Sequence, residues 1–325
     1  MGSSKIAKTN ESSLRYLSVN TYGSVMGISG LSLAWRLSHH LFGTSSLISE
    51  WIGLMAIIIF AFLSISYMIK WVKFPQVVHS EFSNPIAGNF FGAITVGILL
   101  ISSIILPYCR LLAQTVWILG TILTIIICYF LVSRYFMVKQ DQLHAVPAML
   151  IPVVAILNVP VTGVLMPFAW AHELNMFCFA VGSIAAFIFL TIIVSRLLHQ
   201  EPMTTAMNPS LLILIAPFEV GFLAYVNLTG TIDMFASILF YFGLFLFTIL
   251  FFKASNKSIP FSTTWWALSF PLAVLSNASL KYAAYVNSWP LKGIAAIILV
   301  LVTVVITVLF IRTMIHLISG KLLRG

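Results

Sequence analysis

Apolar stretches of about twenty residues recur along this 325-residue chain, separated by short polar breaks. Roughly 20 apolar residues carry an α-helix across the hydrocarbon core of a bilayer. Lipid offers no partner for a backbone N–H or C=O, so a crossing segment must be a helix or part of a closed barrel. The stretches run unbroken instead of alternating in tens, which selects helices. Only 8% of the residues are charged, against about 25% in a typical soluble domain. That is too few to cover a water-exposed surface, and lipid is the main solvent.

The pattern predicts a single all-α integral membrane domain over residues 1–325 with short termini. Ten spans fall near 18–38, 48–70, 87–107, 111–136, 148–168, 173–197, 209–230, 233–252, 262–285 and 292–315. With ten crossings, Arg36, Arg110, Lys281 and Lys292 lie on one side. The other thirteen of the 17 Lys and Arg, including Lys5, Lys8, Lys257 and Arg324, lie on the opposite side. Short loops rich in Lys and Arg stay inside, so both termini are expected in the cytoplasm. The formal charge of +9 is spread singly over helix ends and builds no basic face for nucleic acid.

Little points to catalysis. Cys109, Cys128 and Cys178 have no metal-ligand spacing, and His172-Glu173 is not part of an H-E-x-x-H motif. No metal, cofactor or enzymatic activity is expected.

Prolines divide the spans by parity. Even-numbered spans contain none, whereas Pro152, Pro160 and Pro167 fall in or beside the fifth, Pro217 in the seventh and Pro271 in the ninth. Gly23, Gly27 and Gly30 mark the first span and Gly88, Gly92 and Gly97 the third. A proline inside a helix removes a hydrogen bond and frees a carbonyl, which in lipid needs a protein or water partner. Small residues let backbones approach closely. The expected architecture is five repeated hairpins, with five odd helices around a conduit and five even ones enclosing them. Pro160, Pro217 and Pro271, 57 and 54 residues apart, mark the repeat as helix kinks in the contexts LNVPVTG, LIAPFEVG and LSFPLAVL.

Glu219 is the only carboxylate well inside a span, which makes it a candidate for gating or coupling. It could equally brace the Pro217 kink. With so few fixed charges, the conduit wall is expected to consist of hydroxyls, amides and freed carbonyls, which hold an ion weakly. In IPFSTTWWALSFPLAVLSNAS, Phe261 and two adjacent tryptophans open the ninth span. An apolar ring projecting into a narrow conduit would close it by steric fill and dewetting.

The segments PFSTTWWALSFPLAVLS, NPIAGNFFGAITVGILL and NPSLLILIAPFEVGFLAY resemble the tellurite-resistance/dicarboxylate transporter family, over roughly residues 15–315. That family includes plant guard-cell slow anion channels and fungal malate transporters. The resemblance implies a homotrimer in the bacterial inner membrane, with one pore per protomer conducting small monovalent anions such as chloride or nitrate. It also implies an occluding phenylalanine at the start of the ninth helix, here Phe261, flanked by Thr264, Trp265, Trp266 and Pro271. The alternative is a proton-coupled or facilitated carrier for dicarboxylates or tellurite-like oxyanions, in which Glu219 would titrate.

Overall fold

In the computed structural model, residues 14–255 and 259–321 are described, so Lys5, Lys8, Lys257 and Arg324 lie outside the described residues. Long apolar runs without internal breakers become helices, and no strand occurs among the described residues. Twelve α-helices follow in order: α1 (Gly23–Phe42), α2 (Ser46–Lys73), α3 (Pro75–Ser83), α4 (Phe91–Ile105), α5 (Arg110–Met137) and α6 (Ile151–Leu157). Then come α7 (Val159–Gly163), α8 (Ala171–His199), α9 (Ala216–Thr229), α10 (Met234–Ala254), α11 (Ser269–Val286) and α12 (Trp289–Ile318). Their ends carry ordinary stop and start signals. α1 and α9 terminate at Gly43 and Gly230 with φ of 69° and 70°, the left-handed conformation glycine adopts without strain. Asp233 caps α10 by accepting from the Ala236 N–H at 3.0 Å.

Seven helical segments are long and apolar enough to cross a membrane, and they fall into two classes. In Ala87–Ile105 and Thr205–Thr229, 78% and 72% of the most apolar 18-residue stretch is buried. In Ser46–Lys73, Arg110–Met137, Ala171–His199, Met234–Ala254 and Trp289–Ile318 the share is only 17% to 33%. The second class contains the even-numbered spans of the sequence, and they present Phe, Ile and Leu outward. The odd-numbered segments form the interior. α1 packs along α11, and the chain-sequential neighbours α1 with α2, α4 with α5, α9 with α10 and α11 with α12 lie side by side.

The interior segments share one local feature that periodicity does not reveal. Each begins as a 3-10 helix and then widens into an α-helix. The 3-10 stretches are Val19–Tyr22, Ala87–Phe90, Pro147–Leu150, Thr205–Ile215 and Thr263–Leu268, leading into α1, α4, α6, α9 and α11. Where i→i+3 bonding gives way to i→i+4 bonding, two successive main-chain N–H groups compete for one carbonyl. Proline has no N–H to strand and suits the first turn of an α-helix. Pro152, Pro217 and Pro271 stand at the second or third residue of α6, α9 and α11.

Pro217 marks the change of helix type inside the segment Thr205–Thr229, and Pro160 marks a break between helices. Pro217 lies in the first turn of α9, and the counterpart of Pro217 and Pro271 is Pro152. Pro160 instead opens the five-residue α7, because the expected fifth span is broken at Asn158 into two short helices. The polar break after the second span also holds a helix of its own, α3.

Candidate conduit and its polar ends

The five 3-10 to α junctions meet around a narrow void of about 30 Å³. Each interior segment contributes a pair three residues apart: Gly23 and Met26, Phe90 and Ala93, Ile151 and Val154, Ile213 and Ala216, Ala267 and Phe270. Trp266 and Pro271 complete the wall. Residues Ile151, Ala216 and Phe270 immediately precede Pro152, Pro217 and Pro271, so the proline-marked turn directs its preceding side chain inward. The void has room for one or two waters and none for a hydrated anion. Its wall is apolar, and Phe270 is only 4% exposed.

Larger openings lie elsewhere. One groove of about 550 Å³ between α2 and α12 is walled by Trp51, Leu54, Ile58 and Phe62, whose side chains are exposed on the outer face. Another of about 510 Å³ lies between α2 and α5. Both open outward between exposed helices, so neither is the axial passage.

The occluding phenylalanine expected at Phe261 does not line this void. Its ring meets His316 edge-on, with 5.0 Å between centroids, and the Arg312 guanidinium carbon lies 6.0 Å from its centre. It therefore sits beside the last turns of α12. Phe261 precedes the first wall residue, Trp266, by five residues, or roughly 10 Å at about 2.0 Å per residue. Phe270 is the phenylalanine of this segment that faces the void.

The flanking residues take different roles. Thr264 is half-buried and absent from the void wall. Trp265 donates from Nε1 to the Pro260 carbonyl at 3.0 Å. Trp266 is buried and donates to Thr313 Oγ1 on α12 at 2.9 Å, which fixes the start of the ninth segment to its neighbour. Pro160 lies away from the void, while Ala216 brings the turn containing Pro217 to it.

Glu219 is fully buried, and neither carboxylate oxygen has a hydrogen-bond partner among the described residues. It is directed toward α10, where its side chain fills the space a Cβ at Gly243 would need. It neither braces the Pro217 turn through a hydrogen bond nor reaches the void.

A second carboxylate, unremarked in the sequence, organises one end of the interior. Glu81 on α3 accepts from the Val19 N–H at 2.7 Å, the Tyr67 hydroxyl at 2.9 Å and Lys70 Nζ at 2.6 Å. Lys70 is 2% exposed and also donates to the Leu17 carbonyl at 2.7 Å. One carboxylate thus ties α2, α3 and the entry to α1 together. Its signal in the sequence is weak, because Glu81 lies in a break that reads as a polar loop.

Comparison with known proteins finds a match over residues 16–314 to a family described as voltage-dependent anion channel. The tellurite resistance protein TehA homolog of Haemophilus influenzae is 26% identical over 92% of this chain and 90% of its own length. The S-type anion channel SLAH3 of Arabidopsis thaliana is 25% identical over 93% of this chain, which spans 48% of that longer protein. An uncharacterized transporter of Methanocaldococcus jannaschii is 26% identical over 70% of this chain and 74% of its own length.

Proposed function

The chain belongs to the voltage-dependent anion channel family, and on that footing we propose that it is a gated channel for small monovalent anions such as chloride or nitrate. Its conduit runs through the five interior segments. The observation that carries this reading is the void at the five junctions, to which every interior segment contributes and which Phe270 helps to close. Ten crossings as five inner and outer pairs account for the alternation of buried and exposed segments. The sequence bias of Lys and Arg supports cytoplasmic termini and a bacterial inner membrane location. Assembly as a homotrimer, one conduit per protomer, would cover part of the apolar surface of the outer helices.

The gate follows from the same geometry. A phenyl ring in a passage of this width excludes water as well as ions, so a small movement of one side chain separates closed from open. We assign that role to Phe270 and place Phe261 near one mouth. Past the constriction, neutral hydroxyls and main-chain carbonyls offer an anion only weak, successive contacts, which suits rapid passage.

The test is voltage-clamp recording from reconstituted protein. Phe270→Ala is expected to raise anion current well above the parent, with Phe261→Ala close to the parent. A folded Phe270→Ala protein with unchanged current would overturn the gate.

A second reading has its own observation. The unpartnered, fully buried carboxyl of Glu219 suits a proton-coupled carrier of dicarboxylates or tellurite-like oxyanions. Saturable flux abolished by Glu219→Gln would favour it.

A further inference from the structure

The ends of the interior segments farthest from the chain termini carry a continuous hydrogen-bonded chain of polar groups. Arg36 on α1 donates from Nη1 to the Ser103 carbonyl at 2.9 Å and from Nη2 to the Ile104 carbonyl at 3.0 Å, in the last turn of α4. The Ser103 hydroxyl meets that of Thr162 on α7. The adjacent Val161 carbonyl accepts from Asn227 Nδ2 on α9 at 2.7 Å. Asn227 Oδ1 in turn accepts from Lys281 Nζ on α11. α1 and α11, which carry the two ends of this chain, are themselves joined nearer the void, where Asn277 Nδ2 donates to the Gly30 carbonyl at 2.9 Å.

Every interior segment takes part, and the contacts made by Arg36, Ser103, Asn227 and Lys281 lie at one level. Gly23 to Arg36, Phe90 to Ser103, Ile213 to Asn227 and Ala267 to Lys281 each span nearly four helical turns, or about 20 Å. The chain therefore encircles the line that runs through the void below it.

Its charge is one-sided. Arg36 and Lys281 are the two cations, and neither forms a salt bridge among the described residues. Glu50, at the start of α2, bears on Arg36 electrostatically without pairing with it. The Arg36 guanidinium is largely occupied by the α4 carbonyls. An ammonium has three donors, and Lys281 Nζ gives one of them to the uncharged amide of Asn227. Lys281 and Asn227 are also half-buried, on segments that are otherwise mostly closed to solvent.

We propose that this girdle is an anion-collecting site at the mouth farthest from the termini, with Lys281 as its direct contact and Arg36 as a fixed charge beside it. The inference rests on the conduit reading above for its location. Its ligand is a small monovalent anion. One lysine already sharing its ammonium with an amide holds such an ion loosely, which raises the local concentration without trapping it. Asn227 positions the ammonium, and the α1–α11 packing keeps the two cations on neighbouring helices.

The test compares Lys281→Gln and Lys281→Arg in a Phe270→Ala background. Glutamine can still donate to Asn227, so the substitution removes the charge while keeping the link. In roughly 10 mM chloride or nitrate, where charge acts over about 30 Å, Lys281→Gln should lower current about 3- to 10-fold, mainly for anions entering at this mouth. At about 1 M salt, where screening shortens that reach to about 3 Å, the difference should fall below about 2-fold. Lys281→Arg, which keeps the charge, should lose less current at low salt than Lys281→Gln does. Equal currents of background and Lys281→Gln at low salt would overturn the site.

Lys281→Cys in a Cys109→Ser background gives the same comparison if the glutamine variant fails to accumulate. A cationic methanethiosulfonate should then raise current and an anionic one lower it, and no effect of either would again overturn the site. If Phe270→Ala carries no anion current at all, the conduit reading fails and the site is judged by binding alone. Nitrate titrated against gluconate at constant ionic strength should raise the melting temperature of the purified parent more than that of Lys281→Gln. Identical titrations would reject the girdle independently of conduction.

Discussion

The Ser269 side chain lies where a side chain at Gly27 would have to be, and its hydroxyl donates to the Gly23 carbonyl at 3.1 Å. One turn on, a Cβ at Gly30 would stand 2.7 Å from the Ala273 Cβ. α1 and α11 therefore approach backbone to backbone, and this contact fixes the positions of two of the five void-lining junctions. Gly27→Val should force the pair apart and destabilise the protein by about 1–3 kcal/mol, read as a lower melting temperature in detergent. Gly293→Ala is the control, since nothing lies within 4 Å of a Cβ there. Removing a glycine from the interior of α12 should leave stability unchanged or raise it by roughly 0.5–1 kcal/mol.

Side-chain volume at position 270 should grade the current. Phe270→Leu leaves a smaller plug and should conduct between the parent and Phe270→Ala. Truncation to alanine also enlarges an interior void, so it should cost about 3–5 kcal/mol of stability. Higher current with lower stability across the series is the expected signature. Currents that follow residue 261 instead would relocate the gate.

Glu81 holds a lysine that is almost wholly enclosed. Glu81→Ala strands the Lys70 ammonium and leaves the Val19 N–H and Tyr67 hydroxyl without their acceptor. Loss of about 3–5 kcal/mol is expected, as for one partner of a buried ion pair. Lys70→Met combined with Glu81→Leu should recover much of it, because the stranded charge is then gone. Chemical or thermal unfolding of the single and double variants decides the point. A double variant no more stable than Glu81→Ala would refute a stranded-charge origin.

Glu219 carries no hydrogen bond to lose. Glu219→Met keeps much of the volume against Gly243 and removes two unsatisfied polar atoms, so it should stabilise by about 1–3 kcal/mol. Gly243→Ala should destabilise, because its new methyl group meets that side chain. In the channel reading, current in the Phe270→Ala background is indifferent to Glu219→Gln.

The division into buried and exposed segments was legible from proline, glycine and polar residues, because lipid penalises freed backbone groups wherever they face it. Phe270 was legible only in retrospect. Its signal is the residue before a repeated proline, as in Ile151-Pro152 and Ala216-Pro217, and Pro160 obscured that pattern by belonging to a helix break. The linear motif points instead to Phe261, which does not line the void. A segment wound as 3-10 instead of α changes both rise and facing, and apolar periodicity does not encode that choice.

The sequence by itself determined a multi-pass helical membrane protein and which segments its interior would contain. Span length and the cost of unpaired backbone in lipid suffice for that, since each can be weighed one segment at a time. Only the tertiary structure decided that Phe270 faces the void, that Glu219 turns toward Gly243 and that Arg36 and Lys281 share one girdle. Those are relations between different helices, some of them far apart in the chain, fixed by close backbone contacts such as Gly27 with Ser269. Their geometry depends on packing between surfaces that no single stretch of sequence contains.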